Sequence, residues 1–191
     1  MYRIRVCGNP CTGNNRKGSI IPFASGNLVT LTTVSGGLAG TQALIGFGAN
    51  GTAALVGDTI DITGLSDVSF SMPRDGILTS VAAYFSVGSD VSLVGSTVTI
   101  TAQLYSSPTP DDAFSPVPGA IVTLSPPLTG AVSVGDSLSG ISIELSRYLT
   151  AGTRLLMVFS AEVTDGNDID TIINGYASAG ISIAETIRMY R

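Results

Sequence analysis

The chain of 191 residues contains no histidine and no tryptophan, and its only lysine is Lys17. The lack of histidine excludes the Ser-His-Asp and Cys-His arrangements of nucleophilic catalysis and removes the most common general base. The lack of lysine after position 17 excludes Schiff-base chemistry and a phosphate-binding loop from the rest of the chain. Neighbouring acids such as Asp111 and Asp112 are more often solvated than catalytic. We therefore expect no enzymatic activity and no catalytic residues.

Charged residues are scarce as well, at 12% of the chain, against about 25% in ordinary soluble domains. Only three of the nine basic residues lie between Ile20 and Ala184, against thirteen of the fourteen acidic ones. A body of that sign repels phosphate backbones, so we expect no nucleic-acid partner. No apolar run reaches the roughly 18 residues of a spanning helix, which predicts no membrane insertion. Hydrophobic residues make up 44% of the chain, which instead favours a domain that buries part of its outer surface against other copies of the same chain.

Cysteine occurs twice, at Cys7 and Cys11, and both lie in the basic N-terminal segment 1–19. A lone CxxxC pair in a chain without histidine does not supply the four ligands of a structural zinc site. Two free thiols in a tail are one interpretation, and interchain disulfides that link subunits or attach them to a coat are the other. An intrachain bridge between the two is sterically conceivable.

Glycine and proline interrupt the chain at short intervals between segments rich in valine, isoleucine, threonine and aromatics, which is typical of an all-β fold. Thr97–Tyr105 alternates apolar and polar residues and predicts a strand with one buried face. The same alternation in Ile141–Leu145 predicts that its three apolar side chains point inward. Leu155–Phe159 is apolar throughout, so it must be covered on both faces, at the sandwich centre or at a subunit interface.

Turn residues separate eight to ten predicted strands, and the proline-rich Ser106–Pro118 predicts a long exposed loop. Because no blade-length repeat is visible, this spacing favours one jelly-roll sandwich over a propeller. We expect a flexible basic tail at 1–19, a β-sandwich head domain at 20–184 and a short tail at 185–191.

Six segments carry a resemblance to a known family: Ile20–Gly26, Leu44–Gly48, Ser71–Val87, Ala102–Tyr105, Leu149–Ser160 and Gly175–Ile183. Together they resemble the C-terminal head of the Bcl-type collagen-like exosporium glycoproteins, and they span most of the chain. The resemblance implies a C1q- or tumour-necrosis-factor-like jelly roll that forms a homotrimer on the spore surface and carries glycans. The full-length family has a collagen-like stalk before the head, whereas this chain contains no Gly-X-Y tract.

A trimer of this kind needs apolar residues in its core and at its interfaces. The candidates are Tyr84, Phe85, Leu155, Met157 and Phe159. Each of them fits a core within one subunit equally well.

Hard oxygen ligands occur together in one predicted loop, at Asp165, Asn167, Asp168 and Asp170. The resemblance favours calcium there, because C1q-like trimers sometimes hold calcium near their axis. The spacing is not that of an EF-hand, and a solvated polar loop is the alternative. We expect no other cofactor.

These observations predict a non-enzymatic trimeric head domain of a spore exosporium or appendage glycoprotein, with a role in structural capping and adhesion. Besides its own copies, the expected partners are spore coat or appendage proteins and a host surface protein or glycan. The alternative is a carbohydrate- or receptor-binding tip of a phage or surface fibre. That tip would use the loop residues Tyr105, Asp111, Asp112 and Phe114.

Overall fold

The computed structural model describes residues 18–53, 58–65, 68–109 and 111–185. Every regular element within these ranges is a β-strand, and none of the described residues forms a helix long and apolar enough to cross a membrane. The strands in chain order are β1 (Gly18–Ala24), β2 (Val29–Val34), β3 (Leu38–Ala39), β4 (Gln42–Ile45), β5 (Asn50–Ala53), β6 (Ile60–Asp61), β7 (Phe70–Ser71), β8 (Gly76–Val87), β9 (Val91–Ser107), β10 (Ala113–Thr123), β11 (Leu128–Val132), β12 (Ser137–Ser142), β13 (Arg147–Leu149), β14 (Arg154–Gly166) and β15 (Ile172–Glu185).

The strands form two sheets. Sheet 1 has the order β12-β8-β15-β2-β3, with β1 also paired to β15 and β13 to β8. Sheet 2 has the order β5-β4-β14-β9-β10-β6, with β11 also paired to β9 and β7 to β14. The pairings between these strands are antiparallel.

The path of the chain between the sheets defines the fold. After β8 in sheet 1, the chain passes to β9 and β10 in sheet 2, returns to β12, crosses to β14 and ends on β15 in sheet 1. The first strand pairs with the last, with Gly18 opposite Ala184 and Ala24 opposite Ser178. This interleaving of two antiparallel sheets is the Greek-key arrangement of a jelly roll. The expected all-β jelly-roll sandwich is confirmed.

The main core lies between the two sheets. The apolar residues of β9 from Val98 to Leu104 are fully buried on its inner face, as the alternation predicted. Phe85 of sheet 1 and Phe159 of sheet 2 meet across the core, with their ring centroids 6.4 Å apart. Full burial of one such side chain is worth about 1.5–3 kcal/mol, so this layer accounts for much of the driving force for folding.

A second, smaller hydrophobic cluster covers the opposite face of sheet 2. Leu44, Tyr105, Leu156 and Val158 point away from the main core and pack with residues of the segment around β6, among them Ile60. Along β14, Leu155, Met157 and Phe159 face the main core, while Leu156 and Val158 face this second cluster. The apolar run Leu155–Phe159 is therefore covered on both faces within one chain.

The segment Ile141–Leu145 differs from its prediction. β12 ends at Ser142, and Ile141 and Ile143 are 67% and 61% exposed. The residues of β12 that point inward are the alternate ones, and Gly140 is one of them. A Cβ on Gly140 would lie 2.6 Å from the Thr123 carbonyl oxygen. Because the backbone of β10 passes so close, that position has no room for a side chain. The prediction that Ile141 and Ile143 point inward is wrong.

The predicted exposed loop at Ser106–Pro118 is also shorter than expected. β9 continues to Ser107, β10 begins at Ala113, and Pro116 lies opposite Tyr105 in the ladder. A register shift follows Pro116, consistent with the tolerance of proline at irregular edges of a sheet.

Candidate subunit interface and binding cleft

One face of sheet 1 points away from the core, and we call it the outer face. The outward-facing residues of its strands β12, β8, β15 and β1 are all uncharged: Ser137, Ser139, Ile141, Ser80, Ala82, Tyr84, Ser86, Tyr176, Ser178, Gly180, Ser182, Ile20, Pro22 and Ala24. In a domain with so many acidic residues, a flat patch without charge is typical of a contact surface.

The outer face has a shallow depression of about 220 Å³ formed by small residues beside Tyr84. Ala82 lies opposite both Gly180 and Ile141 in the ladder, and Tyr84 lies opposite Ser178. A Cβ on Gly180 would meet no atom closer than 4.0 Å, so the space above this glycine is open. The depression therefore lies directly beside the projecting side chain of Ile141.

The predicted core and interface residues separate into two groups. Phe85, Leu155, Met157 and Phe159 are fully buried in the main core of the subunit. Tyr84 is 44% exposed on the outer face. Contact between Tyr84 and another subunit stays a prediction.

The loop predicted to bind calcium follows β14. The Asn167 backbone N–H donates to the Gly95 carbonyl oxygen at 2.9 Å, and its own carbonyl accepts from the Ser96 hydroxyl at 2.6 Å. A Cβ on Gly37 would lie 2.8 Å from Oδ1 of Asp168. Among the described residues no group of three or more His, Cys, Asp or Glu side chains is arranged to hold a metal ion. Calcium binding by Asp165, Asn167, Asp168 and Asp170 stays a prediction.

The loop residues considered for carbohydrate recognition are engaged inside the domain. Tyr105 and Phe114 are buried in the second cluster, so their predicted place on a loop surface is wrong. Asp111 accepts hydrogen bonds from within its own loop. Asp112 forms an ion pair with Arg154 at 2.8 Å, and the Arg154 guanidinium lies 5.3 Å from the Phe114 ring centroid.

Two ionisable groups near this cluster have shifted pKa values. Burial, and then the negative charge of Asp58, raises the pKa of the Tyr105 phenol. Hydrogen bonds from the Thr63 hydroxyl and then from its backbone N–H lower the pKa of the Asp61 carboxyl. Tyr105 lies within the second cluster, whereas Asp61 lies on β6 with its side chain in solvent.

A cleft of about 280 Å³ lies where β13 of sheet 1 approaches β10 of sheet 2. It is lined by Ser106, Pro108, Val117, Pro118, Arg147, Tyr148, Leu149, Thr150 and Thr153. β13 places Arg147 opposite Leu78, and its Nε donates to the Pro118 carbonyl oxygen at 2.7 Å. No prediction from the sequence included this cleft; the available signal was that Arg147 is one of the few basic residues in an acidic body.

Cys7 and Cys11 lie outside the described residues, as do nearly all residues of the expected tails. Gly18 and Ser19 belong to β1, and Glu185 ends β15. The role of the two thiols as interchain links stays a prediction.

No protein-family model matches the chain. Collagen-like protein 1 of Acanthamoeba polyphaga mimivirus is 33% identical over 184 residues, which cover 91% of this chain. The chain spans only 19% of the length of that relative. This likeness supports the expected link to collagen-like proteins and agrees with a non-enzymatic domain; the exosporium family itself stays a prediction.

Two solved structures of low identity are also similar to the chain. The Eiger tumour necrosis factor of S. frugiperda has a TM-score of 0.39 at 13% identity, covering 90% of this chain and 98% of its own. The stem and receptor binding domain of the spike protein P1 from bacteriophage PM2 has a TM-score of 0.32 at 12% identity, covering 88% and 96%. The strand order of the two sheets defines the jelly roll independently of both.

Proposed function

We propose that this chain is the head domain of a longer collagen-like surface protein, that it assembles as a homotrimer, and that it acts in structural capping and adhesion. The observation that carries the proposal is the uncharged outer face with its open depression at Gly180. The collagen-like relative supports attachment to a stalk. The resemblance to exosporium glycoproteins favours the surface of a spore or its appendages as the location.

The shape of the outer face suits a three-fold ring. In such a ring each contact joins two different patches, because the interface is heterologous rather than self-paired. The depression around Ala82 and Gly180, with the exposed Ile141 and Ile143 beside it, supplies one of these patches. Burial of a further 1,000 Å² of apolar surface per subunit would contribute on the order of 25 kcal/mol before the costs of association.

Substitution of Gly180 tests the trimer. Light scattering after size exclusion should give a mass near three times 19.4 kDa for the wild type. Gly180→Arg should give the mass of one subunit, because a charged side chain would fill the depression without a clash in its own chain, where the nearest atom is 4.0 Å from the added Cβ.

The matched control is Gly51→Arg on β5 of sheet 2, where a Cβ would have no atom within 4 Å. This variant should keep the wild-type mass. A wild type with the mass of one subunit, or a Gly180→Arg variant that remains trimeric, contradicts the proposed interface. Circular dichroism of both variants establishes that each remains folded.

A further inference from the structure

The three arginines of the described body differ in their partners. Arg74 forms an ion pair with Glu185 at 2.5 Å, and Arg154 forms one with Asp112 at 2.8 Å. Arg147 forms no ion pair with any described carboxylate; its recorded hydrogen bond is to the Pro118 carbonyl oxygen. In a strongly acidic domain, an arginine held beside a cleft and left without a carboxylate is suited to an anionic ligand.

The geometry of Arg147 leaves part of its fork available. Its Nε donates to the Pro118 carbonyl oxygen at 2.7 Å, which limits the orientations of the guanidinium. Nη2 lies 3.5 Å from the position of a Cβ built on Gly119, so the absence of a side chain there leaves room beside it. Charge-assisted hydrogen bonds from such a guanidinium to a carboxylate are about twice as strong as bonds between neutral groups.

The rest of the cleft combines hydroxyl groups with apolar walls. The Thr150 and Thr153 hydroxyls bond to each other at 2.9 Å, and Ser106 adds a third hydroxyl. Buried Val117 and Leu149 form an apolar floor, and the exposed ring of Tyr148 stands at the rim. Apolar surface combined with a few convergent polar groups is the usual composition of a small-ligand site.

Size and charge narrow the class of ligand. A volume of about 280 Å³ suits one sugar ring rather than a drug-sized molecule. The thirteen acidic residues between Ile20 and Ala184 repel polyanions such as nucleic acids and sulfated polysaccharides. A ring with hydroxyl groups and a single carboxylate meets both conditions.

We propose that this cleft binds a carboxylate-bearing sugar, with Arg147 holding the carboxylate and the threonine hydroxyls contacting the ring. The proposal deepens the adhesive role proposed above by naming the ligand class. Its test reads ligand binding rather than mass, so failure of the cleft and failure of the trimer are distinguishable.

The test compares two sugars that differ only in the charged group. The full chain is titrated with methyl β-D-glucuronide and with methyl β-D-glucoside, in which a hydroxymethyl group replaces the carboxylate, and backbone amide shifts are followed by NMR. The glucuronide should shift signals of Val117, Leu149 and Thr153. The glucoside should bind at least about tenfold more weakly, which is the loss expected for one charge-assisted contact.

The variants test whether Arg147 itself, rather than any positive charge on the domain, holds the carboxylate. Arg147→Gln should weaken glucuronide binding by about tenfold or more, and Arg147→Lys should lose part of the affinity because the planar fork is gone. Arg74→Gln, which removes an exposed arginine outside the cleft, should bind as the wild type does. No shift with the glucuronide, equal binding of both sugars, or full binding by Arg147→Gln would overturn the proposal. If acetate bound as tightly as the glucuronide, the proposal that the cleft recognises the sugar ring would be overturned.

Discussion

At the scale of single residues, Tyr105 makes the stability of the domain sensitive to alkaline pH. Burial first, and the Asp58 carboxylate second, raise the pKa of its phenol in the folded state above the ordinary value for tyrosine. The folded state therefore resists ionisation more than the unfolded state does. The stability tied to this group is complete below the unfolded pKa and is lost as the pH rises through the folded pKa.

Tyr105→Phe removes this dependence. Urea unfolding measured at about pH 8 and about pH 11 should show a smaller fall in the free energy of unfolding for the variant than for the wild type. Phenylalanine has no proton to lose, and it keeps the ring that packs with Leu156 in the second cluster. A fall of equal size in both proteins would mean that Tyr105 does not carry the alkaline sensitivity.

Single positions are also where sequence reasoning was weakest. The alternation in Ile141–Leu145 predicted that all three apolar side chains are buried, but it chose the wrong face at Ile141 and Ile143, and only Leu145 packs against the main core. That choice depends on Gly140, because the Thr123 carbonyl oxygen would lie 2.6 Å from a Cβ there and only glycine fits the inner face. The crossing of β10 over β12 is a long-range contact that no local pattern records. The consequence is that Ile141 lies on the outer face, where it contributes to the proposed interface.

At the scale of strands, the apolar run of β14 was predicted to lie either at the sandwich centre or at a subunit interface. Leu156 is fully buried in the second cluster on the outer side of sheet 2. Leu156→Ala should therefore lower the free energy of unfolding by about 2–5 kcal/mol through lost burial and a remaining cavity. The measurement is urea unfolding at one fixed protein concentration, with the mass determined in parallel.

The control is Val94→Ala on β9, because Val94 is 78% exposed. Its effect should stay within about 0.5 kcal/mol. If this side of β14 were a subunit contact instead, Leu156→Ala would change the mass before it changed the stability of the subunit.

Long strands with a clear pattern were predictable, and their partners were not. Periodicity located the buried face of β9, and the continuous apolar run of β14 correctly required cover on both sides. The pairing of β1 with β15 joins Ile20 to Ser182, and neither segment alone carries a signal for the other. The expectation of a jelly roll over other sandwiches came from the family resemblance. The cleft at Arg147 depends on the approach of β13 to β10, so the sequence could offer only the scarcity of arginine.

At the scale of the whole molecule, surface charge and surface shape support the same assembly. The acidic residues of the described strands and loops lie away from the outer face of sheet 1, which therefore has no charge that association would have to bury. Burial of such a face costs no desolvation of ions, so less of the free energy gained from its apolar contacts is offset on association. In a trimer built in this way, dissociation and unfolding of the subunits should occur together in one step.

Thermal unfolding at several protein concentrations tests that coupling. When folding and assembly are linked, the midpoint rises with protein concentration by mass action. The wild type should show this rise in the presence of reductant, and Gly180→Arg should not, because a lone subunit unfolds without a change in molecularity. If Cys7 and Cys11 link the subunits, the rise should weaken without reductant, since a covalent trimer unfolds as a single molecule. A wild-type midpoint that is independent of concentration in reductant would contradict a trimer whose folding depends on the outer face.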